Sequence, residues 1–136
     1  RRLAREGRAW TAMSMEERDE TDAAIALWRG AASEGQTEAQ YNLGLLLQKS
    51  RGVAKDEAEA AKWFRKAAKQ GLARAQSTLG VALMQGIGVA NDEVEAAKWY
   101  RKAAEQGHSD AQCNLGVMLA NSLGVAKDEV EAAKWN

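Results

Sequence analysis

His108 and Cys113 are the only histidine and the only cysteine of the 136-residue chain, and they form the one pair of residue types suited to nucleophilic catalysis. A thiolate attacks a substrate when a neighbouring base such as imidazole activates it. The two residues are five positions apart and lie on either side of a predicted turn into a helix. At this spacing the imidazole is not positioned to activate the thiol. We therefore predict no catalysis, a histidine in a surface turn and a small, buried, apolar cysteine.

Other chemistry-bearing motifs are missing from the sequence. It contains no Ser-x-x-Lys, no Gly-x-Gly-x-x-Gly and no phosphate-binding Gly-x-x-x-x-Gly-Lys-[Ser/Thr]. A metal site needs more histidines, cysteines or clustered carboxylates than the chain provides, and the adjacent Asp128 and Glu129 are ordinary helix-start charges. We expect no enzyme activity, no cofactor and no metal.

Composition excludes two further classes of protein. The 19 basic and 19 acidic residues balance, so the chain lacks the excess positive charge with which proteins neutralise nucleic-acid phosphates. No segment approaches the roughly 20 apolar residues that span a bilayer. We expect no nucleic-acid partner and no membrane insertion. A single cysteine builds no intrachain disulfide and favours a reducing, cytoplasmic compartment.

Internal repeats of 36 residues organise the chain. Residues 59–94 and 95–130 are identical at 23 of 36 positions, and both begin with Glu-Ala-Ala-Lys-Trp, which recurs at 131–135. A more diverged copy covers about 23–58. We therefore predict an N-terminal extension at 1–20 and a repeat domain at 21–136, with three repeats (23–58, 59–94 and 95–130) and a partial capping repeat at 131–136.

Each period predicts two helices separated by a tight turn. In the first helix, Ala60, Trp63, Phe64, Ala67 and Ala68 recur at spacings of three and four, so they share one apolar face. Because Trp63, Trp99 and Trp135 belong to this pattern, we expect them to pack in the core. Aspartates with glutamates three residues later predict caps at the starts of these helices: Asp56, Asp92 and Asp128. Glycines predict positive-φ turns at their ends: Gly35, Gly71 and Gly107.

The second helix of each period carries a leucine face and an internal glycine. Thr37 with Gln40 and Ser109 with Gln112 predict capping boxes, whereas Ala73 lacks one and predicts a second helix that frays more readily. Glycines recur inside these helices, where each costs about 1 kcal/mol relative to alanine: Gly44, Gly80 and Gly116. Their recurrence predicts close approach of the paired helix.

The repeated runs Ala-Gln-x-x-Leu-Gly, Gly-Val-x-x-Asp and Ala-Ala-Lys-Trp-[Phe/Tyr]-Arg-Lys-Ala-Ala-x-Gln-Gly resemble the Sel-one-like repeat (SLR) family, a relative of the tetratricopeptide repeats. The resemblance covers about residues 21–135. It implies an all-α, right-handed superhelical solenoid of antiparallel helix pairs. Leucine replaces the usual second-helix aromatic at 47, 83 and 119, and Asn136 stands where the pattern has an aromatic.

A row of cations lies opposite the apolar face of the first helices, which line the concave groove of such solenoids. Its members are Arg29, Lys62, Arg65, Lys98, Arg101 and Lys134. This ladder could hold an acidic segment of a partner protein, with arginine supplying bidentate geometry. The alternative is a solvated face stabilised by local pairs such as Glu59 with Lys62, and both interpretations stay open.

The function that these features favour is a non-catalytic protein-interaction scaffold or adaptor that binds a protein or peptide on the concave face. Two alternatives remain: a regulatory or targeting module of a larger enzyme, or an element that self-associates weakly through its solenoid ends. The sequence begins without Met, so we expect a piece of a longer chain. Ser14 with Glu17 predicts a long first helix from about 15 to 34, and Trp10 is the aromatic most suited to an interface.

Overall fold

A computed structural model describes residues 14–51, 54–121, 123, 134 and 135. Within these ranges the chain forms six α-helices, a π-helical turn at Leu47–Arg51, and no strand. The helices are α1 (Met15–Ser33), α2 (Thr37–Leu46), α3 (Ala54–Lys69), α4 (Ala73–Gln85), α5 (Glu93–Glu105) and α6 (Ser109–Asn121). Each packs mainly against its neighbours in sequence. The predicted all-α solenoid of antiparallel helix pairs is confirmed.

The turn between the helices of a pair has the same geometry in all three repeats. Gly35, Gly71 and Gly107 have φ of +93°, +102° and +89°, which confirms the predicted positive-φ turns. The residue after each glycine donates its backbone N–H to the carbonyl of the residue five positions earlier, as in Leu72 to Ala67 at 3.3 Å. This bond is typical of the Schellman motif and reverses the chain within three residues.

The starts of the first helices agree only partly with the predicted caps. Ser14 Oγ accepts the N–H of Glu17 at 3.1 Å, and Asp92 Oδ1 accepts that of Glu95 at 3.0 Å, so both caps are confirmed. Asp56 is different: α3 begins at Ala54, which places Asp56 inside the first turn, where it is 8% exposed. Asp128 lies outside the described residues.

The second helices begin without the predicted capping boxes. The residue that precedes α2 is Gln36, and neither it nor Leu72, which precedes α4, makes a side-chain cap. Thr37 and Ser109 are the first residues of their helices and not the caps. Because α2 lacks a cap as α4 does, the predicted difference in fraying between them has no basis.

Aromatic rings leave no room for a side chain at the internal glycines. A Cβ on Gly44 would lie 2.6 Å from Cε1 of Phe64, and one on Gly80 would lie 2.6 Å from Cε1 of Tyr100. Both rings are buried, at 1% and 3% exposure. The predicted close approach is therefore confirmed, but the approaching helix is the first helix of the next repeat and not the paired helix of the same repeat.

Candidate protein-interaction surface

Exposed lysines cover one side of α3 and α5. They are Lys62, Lys66 and Lys69 on α3 and Lys98 and Lys102 on α5, which together we call the first-helix face. Spacings of three and four residues keep the members from one helix on the same side of that helix. Lys134 is also exposed. Three members of the predicted cation ladder, Lys62, Lys98 and Lys134, thus have solvent-accessible ammonium groups.

The arginines of the ladder are placed differently. Arg29 forms an ion pair with Glu59, and Arg65 forms one with Glu95, thirty residues later along the chain in both cases. Arg65 makes a second contact, from Nη2 to Glu95 Oε1 at 3.4 Å. These pairs join the first helices of consecutive repeats. Arg101, the third arginine of the ladder, is partly buried.

Each of these glutamates also accepts a hydrogen bond from a tryptophan four residues later. Trp63 Nε1 donates to Glu59 at 3.1 Å, and Trp99 Nε1 donates to Glu95 at 3.0 Å. Both indoles are partly buried and pack against the core, as predicted, and so does Trp135. The carboxylates are therefore held between an arginine of the previous repeat and an indole of their own helix.

The charges around the glutamates lower their pKa values. At Glu59, burial alone would raise the pKa, but hydrogen bonds from Arg29 and Trp63 and the positive charges of Arg29 and Lys62 outweigh burial. At Glu95, the hydrogen bond from Arg65 is the largest cause of the lowered pKa, opposed by burial and assisted by Trp99 and Lys98. Both carboxyls are thus held in their charged form.

The tryptophan rings in turn hold lysines. Lys66 Nζ lies 4.8 Å from the centroid of the Trp63 ring, and Lys102 Nζ lies 5.7 Å from that of Trp99. Lys134 Nζ lies 5.1 Å from the Trp135 ring. Such cation–π contacts contribute about 0.5–1 kcal/mol at exposed sites. They limit how far these three ammonium groups can move from the surface.

The positive character of the surface does not extend to the first repeat. A groove of about 650 Å³ lies between α1 and α3. The charged residues that line it are Asp22, Asp56, Glu59 and one cation, Arg29. The positions on α1 that correspond to Lys62 and Lys66 are Ala26 and Gly30. The first-helix face is therefore basic only from α3 onward.

A ladder of glutamines, which sequence reasoning missed, joins consecutive repeats. The side-chain amides of Gln40, Gln76 and Gln112 donate to carbonyls eight residues earlier, at 3.2, 3.1 and 3.2 Å. Gln70 Nε2 donates to Gln40 Oε1 at 2.7 Å, and Gln106 Nε2 donates to Gln76 Oε1 at 3.0 Å. The signal in the sequence was the recurrence of both glutamines at the 36-residue period.

A second groove, of about 520 Å³, lies on the other helices of the repeats. We call it the second-helix groove; it is lined by residues of α2, α4 and α6 and by His108 just before α6. At one end Arg74 Nη2 contacts both carboxylate oxygens of Glu38, one of them at 2.6 Å. The same guanidinium lies 5.2 Å from the Tyr41 ring centroid. Tyr41 Oη is in turn 3.5 Å from Thr78 Oγ1.

Cys113 lines this groove and is exposed, so the prediction of a buried apolar cysteine is wrong. The equivalent residue of α4, Ser77, is buried, whereas α6 is the last of the described second helices, so no described helix of a following repeat covers Cys113. His108 is partly exposed in the turn before α6 and lines the same groove. No group of three or more histidines, cysteines and carboxylates that could hold a metal exists among the described residues.

Two further observations bear on the predicted surfaces. Within the part of the chain that the structure describes, no helix has the length and apolar character needed to span a membrane. Trp10, which was predicted to suit an interface, lies outside the described residues.

Comparisons with known proteins agree with these features. The family model described as Sel1 repeat matches residues 37–72, 73–108 and 109–135. A solved structure of a protective antigen from uropathogenic Escherichia coli strains, which displays an SLR fold, is 43% identical over 90% of this chain, with a TM-score of 0.76. A Sel1 repeat protein from Oxalobacter formigenes is 39% identical over 82% of the chain, with a TM-score of 0.75.

A third structure shares the fold at lower identity. Cysteine rich protein B from Helicobacter pylori is 22% identical over 85% of this chain and 83% of its own length, with a TM-score of 0.65. The chain spans only 25% of the Escherichia coli antigen and 46% of the Oxalobacter protein. No curated protein matches the chain.

Proposed function

Because the chain belongs to the Sel1 repeat family, whose members are generally non-catalytic protein-interaction scaffolds, we propose that its first-helix face binds an acidic segment of a partner protein. The observation that carries this proposal is the set of exposed lysines on α3 and α5. The nearby Glu59 and Glu95 carboxylates are held by arginine and tryptophan, which leaves the lysines to supply the open charge. In this arrangement the first helices line the concave side of the solenoid.

The six cations of the ladder then have two roles. Lys62, Lys98 and Lys134 contact the partner, because their ammonium groups are exposed. Arg29 and Arg65 keep consecutive repeats in register through their glutamates, and we extend this role to Arg101 by its position in the period. Lysine suits a surface that binds acidic segments of varied geometry, since its ammonium is a mobile point charge and not a rigid fork.

We also propose that this surface serves as a recognition module within a larger protein. The chain spans 25% of the Escherichia coli antigen and 46% of the Oxalobacter protein, and this partial coverage supports that setting.

A second candidate role, self-association, is favoured by Trp28. This residue stands 36 positions before the buried Phe64, yet it is 38% exposed. Light scattering of wild type and Trp28→Ser over a range of concentrations tests that role: equal molar masses would refute it.

The proposal is tested with a fluorescein-labelled oligoglutamate peptide. We expect Lys62→Glu with Lys98→Glu to weaken its binding at least about tenfold, and Lys98→Glu alone to weaken it by less. Lys49→Glu is the matched control, because Lys49 is exposed and lies in the π-helical turn after α2 and not on α3 or α5. Fluorescence polarisation gives the affinities, and circular dichroism checks the fold. Equal affinities for the double variant and wild type would contradict the proposal.

A further inference from the structure

The two most similar repeats differ from each other mainly along and beside the second helix. Residues 59–94 and 95–130 differ at 13 of 36 positions. On the first-helix face Lys62 and Lys66 are repeated as Lys98 and Lys102, and Lys69 alone changes, to Glu105. Five differences fall towards the end of the second helix and just after it, at positions 82 and 84–87. Five others fall in one run around the start of the second helix, at positions 72–74, 77 and 78. Their counterparts are at 108–110, 113 and 114.

These differences meet in the second-helix groove. Arg74 and Asp110 both line it although they are equivalent positions of the two repeats, and the same is true of Ser77 with Cys113 and of Thr78 with Asn114. Residues that hold the solenoid together have to recur in each repeat, because every repeat makes the same neighbouring contacts. The lining of the groove does not recur in this way, although Arg74 and Thr78 contact Glu38 and Tyr41 of the previous repeat. Its chemistry therefore changes from one repeat to the next.

The charges in the groove determine which side chain it fits. Arg74 and Glu38 neutralise each other in a two-oxygen ion pair, and the Arg74 guanidinium also lies over Tyr41. Asp110 is exposed and makes neither an ion pair nor a side-chain hydrogen bond with any described residue. Of the carboxylate and guanidinium groups in and beside the groove, Asp110 therefore leaves one uncompensated negative charge, and a basic group complements it.

Polar side chains beside Asp110 can form hydrogen bonds with a peptide backbone. Asn114 lines the groove one helical turn after Asp110, and its amide can both donate to a peptide carbonyl and accept from a peptide N–H. Thr78 provides a hydroxyl on the adjacent helix, and Val81 provides an apolar contact. The volume of about 520 Å³ is that of a ligand-sized cleft.

We propose that the second-helix groove is a second recognition surface, which binds an extended segment of a partner protein and holds a lysine or arginine of that segment against Asp110. The inference is independent of the first-helix face. That face has the opposite charge, lies on other helices and differs between α3 and α5 only at Lys69, which is replaced by Glu105.

A random-peptide display library is the probe for this surface. We expect the peptides selected by the wild-type chain to share a lysine or arginine. A synthetic peptide with the shared sequence is then measured against Asp110→Asn, which removes only the charge, and we expect at least about tenfold weaker binding. A second variant combines His108→Leu, Asp110→Arg, Cys113→Ser and Asn114→Thr. It copies residues 72, 74, 77 and 78 into the third repeat and so keeps residues that the second repeat already accommodates.

The matched control is Glu105→Lys, which copies the second repeat at the differing position of the first-helix face and should leave binding unchanged.

The alkylation rate of Cys113 reports directly on whether the groove is occupied, since this residue is the only cysteine and is exposed in the groove. A bound peptide should slow its alkylation by iodoacetamide several-fold. Acidic shared sequences, binding that survives the four-residue variant, unprotected Cys113 or a library without enrichment would each overturn the proposal. If the selected peptides lose their binding only in the Lys62 and Lys98 variants, the first-helix face is left as the sole recognition surface.

Discussion

At the scale of single residues, Glu95 joins two repeats through its negative charge. Arg65 and Trp99 both donate to its carboxylate, and its pKa lies below the ordinary value of 4.5. A carboxyl with a lowered folded-state pKa stabilises the fold above its unfolded-state pKa, and that contribution disappears as the pH falls through the folded-state value. The link between repeats should therefore weaken in acid.

Glu95→Gln tests this link. At neutral pH we expect the variant to lose about 0.5–1 kcal/mol of unfolding free energy, because the ion pair is partly exposed and the amide keeps only the neutral hydrogen bonds. Urea unfolding at a series of pH values should show the difference from wild type shrinking below about pH 4.5. The control Glu105→Gln, on the same helix, should change the stability by less than about 0.5 kcal/mol. A pH-independent loss in Glu95→Gln would contradict the charge-based role.

Glycine substitutions separate close packing from helix propensity. Gly80→Ala places a Cβ against the buried Tyr100 ring, and we expect an overpacking cost of about 1–3 kcal/mol that exceeds the gain in propensity. The Cβ added by Gly30→Ala has no neighbouring atom within 4 Å, so this variant should stabilise α1 by up to about 1 kcal/mol. Thermal unfolding of both variants checks the pair. Greater stability in Gly80→Ala than in wild type would contradict the proposed contact.

The members of the cation ladder could be predicted from the sequence, but the side chains with which they pair could not. A helical wheel places Lys62 and Arg65 on the same side of one helix, which the structure agrees with. The ion pair of Arg65 with Glu95 joins two helices thirty residues apart, and a wheel contains no information about the neighbouring helix. The short-range pattern instead suggested a reciprocal capping box at Asp92, of which only the aspartate half forms.

At the scale of helices, the glutamine ladder fixes how α4 lies between α3 and α5. Gln76 is 4% exposed; it donates to the carbonyl of Ala68 and accepts from Gln106. Gln76→Ala leaves the buried Ala68 carbonyl without its side-chain donor and removes one of the two acceptors of the Gln106 amide, so we expect a loss of about 1–3 kcal/mol. A double-mutant cycle with Gln106→Ala in urea unfolding should give a coupling energy of at least about 0.5 kcal/mol. Gln85→Ala, at the exposed end of α4, is the control, and additive losses would contradict the ladder.

Helix ends were predictable where backbone geometry requires one residue type. Gly35, Gly71 and Gly107 could be assigned because positive φ favours glycine at a helix C-terminus. The starts of α2 and α6 could not, since the spacing of Thr37 with Gln40 has the form of a capping box. In the structure Gln40 instead reaches the carbonyl of Ala32, and that tertiary contact is invisible to a local pattern.

At the scale of the whole molecule, stability is a sum over neighbouring repeats, because each helix packs mainly on the helices next to it in sequence. We expect that inserting a second copy of residues 59–94 after Val94 gives a folded chain that unfolds at higher urea concentration. Circular dichroism during urea unfolding measures this. The control is the same insertion with one residue of α4 deleted, which rotates the following face by about 100° and should lower the stability. Equal stability of the two insertions would contradict nearest-neighbour stacking.

The order of Arg65 and Glu95 has a consequence for how such a chain can change length. The second repeat presents Glu59 to Arg29 of its predecessor and Arg65 to Glu95 of its successor. A tandem duplication of residues 59–94 therefore produces a junction whose charges already match, because Glu59 of the second copy stands thirty residues after Arg65 of the first. The reach of the molecule can grow in whole periods without new packing solutions, and selection can then act on the residues of the second-helix groove alone.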